Sequence, residues 1–222
     1  MGDFIDTLRQ AFFDGTIRGG QSLTEEWLSR SYGVSRTPVR EALIRLESEG
    51  LVTIIKNKGA FARQITPTDV VEIFQLRGLL EGYATRTCVE TIDRNRLQAL
   101  YEEMKALPLI DSTKEDHDRL GRELHNLITD TSPNERFRSL VKSLCWQFVW
   151  AKDLAGYIPK RRNKTLREHL KIAEQILAGN AAKAEKAMVH HLHSTMADIV
   201  SPDNIHIFPI VNQRELAHFS FE

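Results

Sequence analysis

Residues 32–50, YGVSRTPVREALIRLESEG, restrict the possible folds of this chain more than any other stretch. Gly33 can adopt the left-handed conformation that ends one helix, and the Ser35 hydroxyl can cap the next. Pro38 falls in the first turn of this second helix, where its missing amide donor is tolerated. Apolar residues then recur with helical spacing at Val39, Ala42, Leu43 and Leu46. Two helices joined by a tight glycine turn predict a helix-turn-helix.

Two short antiparallel strands are predicted directly after this motif, at residues 51–55 and 61–65. The turn between them, KNKG, is basic and would form the wing of a winged helix. Arg36 and Arg40 lie one turn apart near the start of the second helix. Lys and Arg bind DNA phosphates, and Arg can also reach guanine edges. An isolated basic helix is usually ordinary solvated surface, but helix, turn, helix and basic hairpin in this order predict binding to double-stranded DNA.

Residues 8–63 resemble the winged-helix domain of GntR-family transcriptional regulators. The matching stretches are GVSRTPVREAL at residues 33–43, LESEGLV at 46–52 and NKGAF at 57–61. The resemblance implies that the start of the second helix meets operator DNA and that the wing tip enters the minor groove. The DNA-binding residues predicted in this way are Ser35, Arg36, Thr37, Arg40, Lys56, Lys58 and Gly59.

Composition indicates a soluble globular protein, and the family resemblance together with the cysteine usage predicts a bacterial protein of the cytoplasm. The formal net charge of the 222 residues is zero, but residues 30–63 carry a local basic excess. Cys88 and Cys145 are too few for a disulfide framework and are predicted to be reduced thiols. The N-terminal residues do not read as a signal peptide, and no apolar run is long enough to span a membrane.

From residue 70 onward, apolar residues have helical spacing almost everywhere. Helices are predicted near residues 70–84, 97–107, 116–131, 137–157, 166–177 and 181–199. The predicted fold class is mostly α, with an N-terminal winged helix-turn-helix followed by an all-α antiparallel helical bundle. The predicted division is residues 1–65 for DNA binding, 66–200 for effector binding and dimerisation, and a tail of unassigned role at 201–222.

Three histidines lie on or beside the inward faces of three different predicted helices: His125, His169 and His191. Neutral imidazole is the commonest side-chain ligand of metals, and three in one bundle could hold a divalent ion. Spacing alone favours the other interpretation, in which each is a hydrogen-bonded histidine of the core.

Residues 70–198 resemble the FCD effector domain of the FadR subfamily of GntR regulators, and this changes the balance. The stretches that carry the resemblance are EIFQLRGLLE at residues 72–81, ELHNLI at 123–128, EHLKI at 168–172 and HHL at 190–192. Family members often bind a divalent metal through one Asp and three His, and a small organic acid completes the coordination. The three histidines match the three His positions.

The Asp position does not match, because Gly121 stands one turn before His125 where the carboxylate is expected. Asp118 is almost two turns from His125, about 10 Å along the axis. Loss of this hard anionic ligand favours Zn or Ni over Mn. Three interpretations stay open: a three-His site with extra water, a pocket without metal, and a site whose effector supplies the missing carboxylate.

Arg77 lies among the apolar residues of the first bundle helix, where a buried Arg needs a partner. One interpretation is a salt bridge to Glu81, one turn later. The other, which the resemblance implies, is a fork that binds the carboxylate of a small-acid effector.

The sequence therefore predicts a homodimeric, non-enzymatic transcriptional regulator that binds a pseudo-palindromic operator and responds to a small carboxylate, with repression as the family's usual mode. Two alternatives compete with it. One is a three-His metal-dependent hydrolase tethered to DNA, although no general base is evident near the histidines. The other is an effector-independent DNA-binding dimer with a solid bundle core.

Overall fold

The computed structural model describes residues 2–13, 16–107, 113–141, 144, 158 and 161–207. The N-terminal half contains helices α1 (Gly2–Phe13), α2 (Glu25–Tyr32) and α3 (Arg36–Ser48), followed by strands β1 (Val52–Ile55) and β2 (Gly59–Ala62). The C-terminal half contains α4 (Pro67–Cys88), α5 (Arg94–Ala106), α6 (Lys114–Asp130), α7 (Arg162–Leu177) and α8 (Ala181–Ile199), then a short 3-10 helix (Pro202–Ile207).

These elements confirm the predicted fold class, a winged helix-turn-helix followed by a helical bundle. The helix predicted at 137–157 corresponds to a helical segment that begins at residue 135 and is described to residue 141, and most of the remaining predicted range lies outside the described residues. Cys145 also lies outside them. Cys88 is buried, and burial raises the pKa of its thiol to about 12, so this thiol stays protonated at neutral pH.

The helix-turn-helix forms for the reasons that the sequence gives, with one exception. The Thr24 side chain caps α2, and Gly33 ends it with a φ of 67° in the left-handed region. The apolar stripe of α3 is fully packed into the core. Ser35 does occupy the N-cap position of α3, but its side chain makes no capping hydrogen bond. The prediction of a hydroxyl cap at Ser35 was therefore wrong, although the position was right.

The wing is a two-stranded antiparallel hairpin in which Val52 pairs with Ala62 and Ile55 pairs with Gly59. Asn57 adopts a positive φ of 64° in the turn. The second strand begins at Gly59, so it starts and ends earlier than the predicted 61–65. The predicted basic turn is therefore tighter than expected, and Gly59 belongs to the strand that returns from it.

Apolar residues form two separate buried clusters. One joins α1, α2, α3 and the hairpin, and the other joins the helices from α4 to α8. Thr66 and Asp69 form a capping box at the start of α4, and the side chain of Arg63 donates to Asp69 across the connection. The two cores agree with a two-domain organisation, while the boundaries at 65 and 200 stay predictions.

The helices that the structure describes are all too short or too polar to cross a lipid bilayer.

Candidate metal centre and nucleic-acid interface

Helices α6, α7 and α8 bring His125, His169 and His191 together in the bundle. All three side chains are buried. The Nε2 atom of His169 lies 3.2 Å from Nε2 of His125 and 3.2 Å from Nε2 of His191. Among the described residues, these three form the one group whose His, Cys, Asp or Glu ligand atoms all lie within 4.8 Å of one another. The structure therefore places the three predicted histidines around a common point.

Carboxylates support two of these rings from behind. Glu81 Oε2 contacts Nδ1 of His125, and Glu168 Oε2 lies 2.8 Å from Nδ1 of His191. A carboxylate accepts, so Nδ1–H donates in each case and the Nε2 lone pair of a neutral ring faces the common point. Burial, then repulsion from His125 and Arg161, holds the pKa of His191 well below its usual range. Neutral rings whose lone pairs converge repel one another unless a proton or a cation lies between them.

Each carboxylate is itself held by a buried arginine. The Nε–H of Arg77 donates to Glu81 Oε1 over 2.6 Å, and Nη2–H of Arg161 donates to Glu168 Oε2 over 2.8 Å. Burial alone would raise the pKa of Glu81, but attraction to Arg77 and His125 outweighs it and keeps the carboxyl ionised. Of the two interpretations of Arg77, the salt bridge to Glu81 is therefore present in the structure.

A small cavity of about 70 Å³ opens beside the histidines. The buried residues Arg77 and Arg161 form part of its wall, and Lys114, His117 and Asp118 line another part of it. The Nη atoms of Arg161 are occupied by Glu168, Thr195, Asp198 and main-chain oxygens. Within the described part of the chain, its buried Nε–H has no hydrogen-bond partner. An unsatisfied buried donor is costly, and a ligand oxygen could satisfy it.

Gly121 is buried on α6, one turn before His125, so the position predicted for an aspartate lacks a side chain. Asp118 lines the cavity but does not belong to the three-His group. His190 and His193, on the same helix as His191, are exposed. Among the described residues, the common point is therefore lined by three imidazole nitrogens and by no carboxylate.

The predicted DNA-binding residues all lie on the surface of the winged helix. Exposed side chains at the start of α3 and in the wing are Ser35, Arg36, Thr37, Arg40, Lys56 and Lys58, and Gly59 is also exposed. Arg40 and Lys58 line one open groove between α3 and the hairpin. In this structure Nε–H of Arg40 donates to Glu25 Oε1 over 2.5 Å, so the guanidinium is held in place beside the groove.

Two family models match this chain. Residues 72–194, more than half of the 222 residues, match the FCD domain, and residues 3–62 match the bacterial regulatory proteins of the gntR family. The chain belongs to the GntR family and carries an FCD domain. It is therefore a transcriptional regulator of the GntR/FCD type.

Known regulators resemble this GntR/FCD protein over most of its length. The uncharacterized HTH-type transcriptional regulator YdhC of Bacillus subtilis is 29% identical over 193 residues, which cover 86% of each chain. LutR of the same organism is 26% identical over 85% of this chain and 95% of its own. A crystal structure of a GntR transcriptional regulator from Rhodococcus sp. RHA1 covers 90% of this chain and 97% of its own with a TM-score of 0.72, and its 24% identity supports the fold alone.

Sequence reasoning missed part of this regulator's candidate site. Glu81 was considered only as a partner of Arg77, and Glu168 and Arg161 were assigned no role. The four-residue spacing of Arg77 and Glu81 does signal a pair on one helix face. The link from Glu168 to His191 joins two helices, and nothing in the local sequence indicates it.

Proposed function

We propose that this protein is a homodimeric repressor whose operator binding is controlled by a small carboxylate bound next to a divalent metal in the FCD domain. One observation carries the proposal: three buried Nε2 atoms meet beside a cavity. The Nε2 atom of His169 lies 3.2 Å from that of His125 and 3.2 Å from that of His191. A hydrogen-bonded core histidine needs neither a facing imidazole lone pair nor a cavity next to it. A site for a cation and its ligand accounts for both features.

The residues present fit a divalent metal. His125, His169 and His191 would hold it through Nε2, with Glu81 and Glu168 fixing two of the rings through Nδ1, as outer carboxylates commonly do. Three neutral imidazoles without a carboxylate suit Zn or Ni better than Mn. When bound, the metal would supply a positive centre that attracts the effector's carboxylate.

The effector we propose is a small organic acid, because buried cationic groups surround the cavity. Arg161 offers a buried Nε–H donor with no partner within the described residues. Arg77, the residue predicted from sequence, also lines the cavity while it binds Glu81. An anion placed between the three histidines and Arg161 would satisfy that donor and supply the negative ligand that Gly121 cannot.

The test is a titration of operator binding with small mono- and dicarboxylates in the presence of Zn²⁺. We expect at least one acid to change the affinity of the wild-type protein for DNA by about 5–150-fold, the usual range of allosteric coupling. The His169→Ala variant should bind the operator as before but lose the response. A response that survives in His169→Ala would refute the three-His site as the sensor.

Operator recognition is assigned to the exposed start of α3. We expect Arg40→Ala to weaken operator binding by ~1–3 kcal/mol, because a guanidinium that reaches a base edge contributes about this much. Fluorescence anisotropy with labelled operator measures the change. Arg86→Ala is the matched control, since Arg86 is an exposed arginine of the bundle that pairs with Glu185. Equal effects of the two substitutions would show that only overall charge matters.

Dimerisation is assigned to an exposed apolar face of α4 and the adjoining helical segment. Leu76, Leu79 and Tyr83 are 44%, 72% and 46% exposed and recur at helical spacing, and Leu140 is 49% exposed nearby on the segment 135–141. Tyr83 contacts Phe137 with ring centroids 5.7 Å apart, which joins the two parts of the face. A second copy of the chain would cover this face, because a two-fold symmetric operator is bound by a two-fold symmetric dimer.

We expect Leu79→Glu to convert the dimer to a monomer at micromolar concentration, because each protomer would then bury an unpaired carboxylate in an apolar interface. Sedimentation equilibrium measures the mass. Ile55→Glu, the same type of change at an exposed isoleucine of the hairpin, should leave the mass unchanged. A Leu79→Glu protein that stays dimeric would place the interface elsewhere.

The alternatives gain less support. The relatives are named as transcriptional regulators, and these names give no support to the alternative of a metal-dependent hydrolase. The cavity beside the histidines disfavours an effector-independent dimer with a solid core.

A further inference from the structure

The exposed face of α3 contains an apolar residue among its polar side chains. Val39, Ala42, Leu43 and Leu46 form the buried face. On the opposite face Thr37, Arg40 and Ile44 follow one another at spacings of three and four residues, which aligns them along the helix. Ile44 is 62% exposed, although an isoleucine gains about 1.5–3 kcal/mol when it is fully buried. The burial of this side chain is therefore incomplete in the free protein.

Ile44 lies in the groove between α3 and the wing. The same groove is lined by Ile54 of β1, which is 39% exposed, and by the cationic residues Arg40 and Lys58. Glu25 also lines it, but its carboxylate accepts from Arg40. The groove is thus an apolar strip with cations beside it. This combination fits a DNA duplex, which presents phosphates and the apolar methyl groups of thymine together.

We propose that Ile44 recognises a thymine in the operator through contact with its C5 methyl group. This inference rests on the proposed DNA binding of α3 and adds a base-specific contact to it. Ile44 lies one turn beyond Arg40, about 6 Å along the helix axis, which corresponds to about two base-pair steps. The recognised thymine should therefore lie about two base pairs from the base that Arg40 contacts. Ile54 forms the apolar wall on the other side of the methyl group.

The experiment removes one methyl group at a time from the DNA and the matching apolar surface from the protein. Operator sequences are first selected from a random duplex library with the wild-type homodimer. Each thymine of one half-site is then replaced by deoxyuridine, which lacks only the C5 methyl. For the wild-type protein we expect one position at which the affinity falls about fourfold, the factor for burying one methyl group. For Ile44→Ala the loss at that position should fall to less than twofold.

The control is Ile55→Ala, which removes the same atoms from an isoleucine that is 42% exposed on the other face of β1. This variant should show the same fourfold loss as the wild type at the sensitive thymine. Equal losses in wild type and Ile44→Ala, or no sensitive thymine at all, would overturn the inference while leaving DNA binding intact. A wild-type protein that selects no sequence from the library would instead overturn the proposed operator recognition itself.

Discussion

Replacement of Glu81 by Ala should lower the free energy of unfolding by about 3–5 kcal/mol, the cost of leaving a buried charge without its partner. Glu81 is 3% exposed and accepts from both Arg77 and His125. Arg77 is 5% exposed and is reached by solvent only at the wall of the small cavity, so water is a poor replacement for the lost carboxylate. This loss should exceed that of any single substitution on the exposed surface of the bundle.

Urea unfolding followed by circular dichroism, in chelator-treated buffer, separates this effect from any effect of metal. Glu81→Gln keeps an acceptor for Arg77 and should lose less stability than Glu81→Ala. Glu185→Ala is the surface control, because the Glu185 and Arg86 side chains are 35% and 58% exposed and such pairs contribute about 0–1 kcal/mol. If Glu81→Ala lost no more stability than Glu185→Ala, the pair of Arg77 and Glu81 would have no structural importance.

The affinity for Zn²⁺ should fall most when a histidine of the three-His group is replaced, and less when a carboxylate that supports one of these histidines is replaced. His169→Ala removes the ring whose Nε2 lies between the other two, and should weaken Zn²⁺ binding by more than about a hundredfold. This exceeds the loss of about 10–100-fold that is typical when a residue that hydrogen-bonds a metal ligand is replaced. Glu168→Gln keeps all three histidines but weakens the hydrogen bond to His191 and the ion pair with Arg161, so its effect should fall within that 10–100-fold range. Gly121→Asp should raise the affinity for Mn²⁺ relative to Zn²⁺, because it adds a hard anionic oxygen.

Competition titrations with a metal indicator, on protein purified without an affinity tag, give these affinities directly. His190→Ala is the matched control, since His190 is the exposed neighbour of His191 on α8. Its Zn²⁺ affinity should equal that of the wild type. Equal affinities for wild type and His169→Ala would mean that the three histidines are core residues and that the carboxylate pocket acts without metal.

The winged helix could be predicted almost completely from sequence because its determinants are local. The glycine turn at Gly33, the proline in the first turn of α3 and the apolar stripe all act within a few residues of each other. The missing Ser35 cap shows where such reasoning ends. A residue can occupy the N-cap position while its side chain turns elsewhere, since only the local geometry decides whether the hydroxyl reaches an amide.

Of the candidate site, only the inner layer of three histidines was predictable, and not the outer layer of carboxylates and arginines behind them. Periodicity placed each histidine on or beside an inward face, and the family resemblance grouped them. The outer layer depends on how far each helix is rotated and shifted against its neighbours. Glu168 immediately precedes His169 in the chain, yet it binds His191 on another helix. Arg161 reaches from the start of α7 to Asp198 near the end of α8. Neither relationship follows from the spacing of residues on one helix.

Helix α4 belongs to the bundle, and its first turn is the part that follows the winged helix directly in the chain. Its first turn is fixed by the capping box of Thr66 and Asp69. Asp69 also accepts a hydrogen bond from the side chain of Arg63, the residue that follows β2. Farther along, Glu81 supports His125. Asp69 and Glu81 are 12 positions apart, about 18 Å in a continuous helix. A tilt of this helical stretch by about 5° about its histidine end would shift its other end by about 1.6 Å. A ligand bound in the cavity beside the histidines would then move Asp69, and with it the chain at Arg63 that leads back to the winged helix.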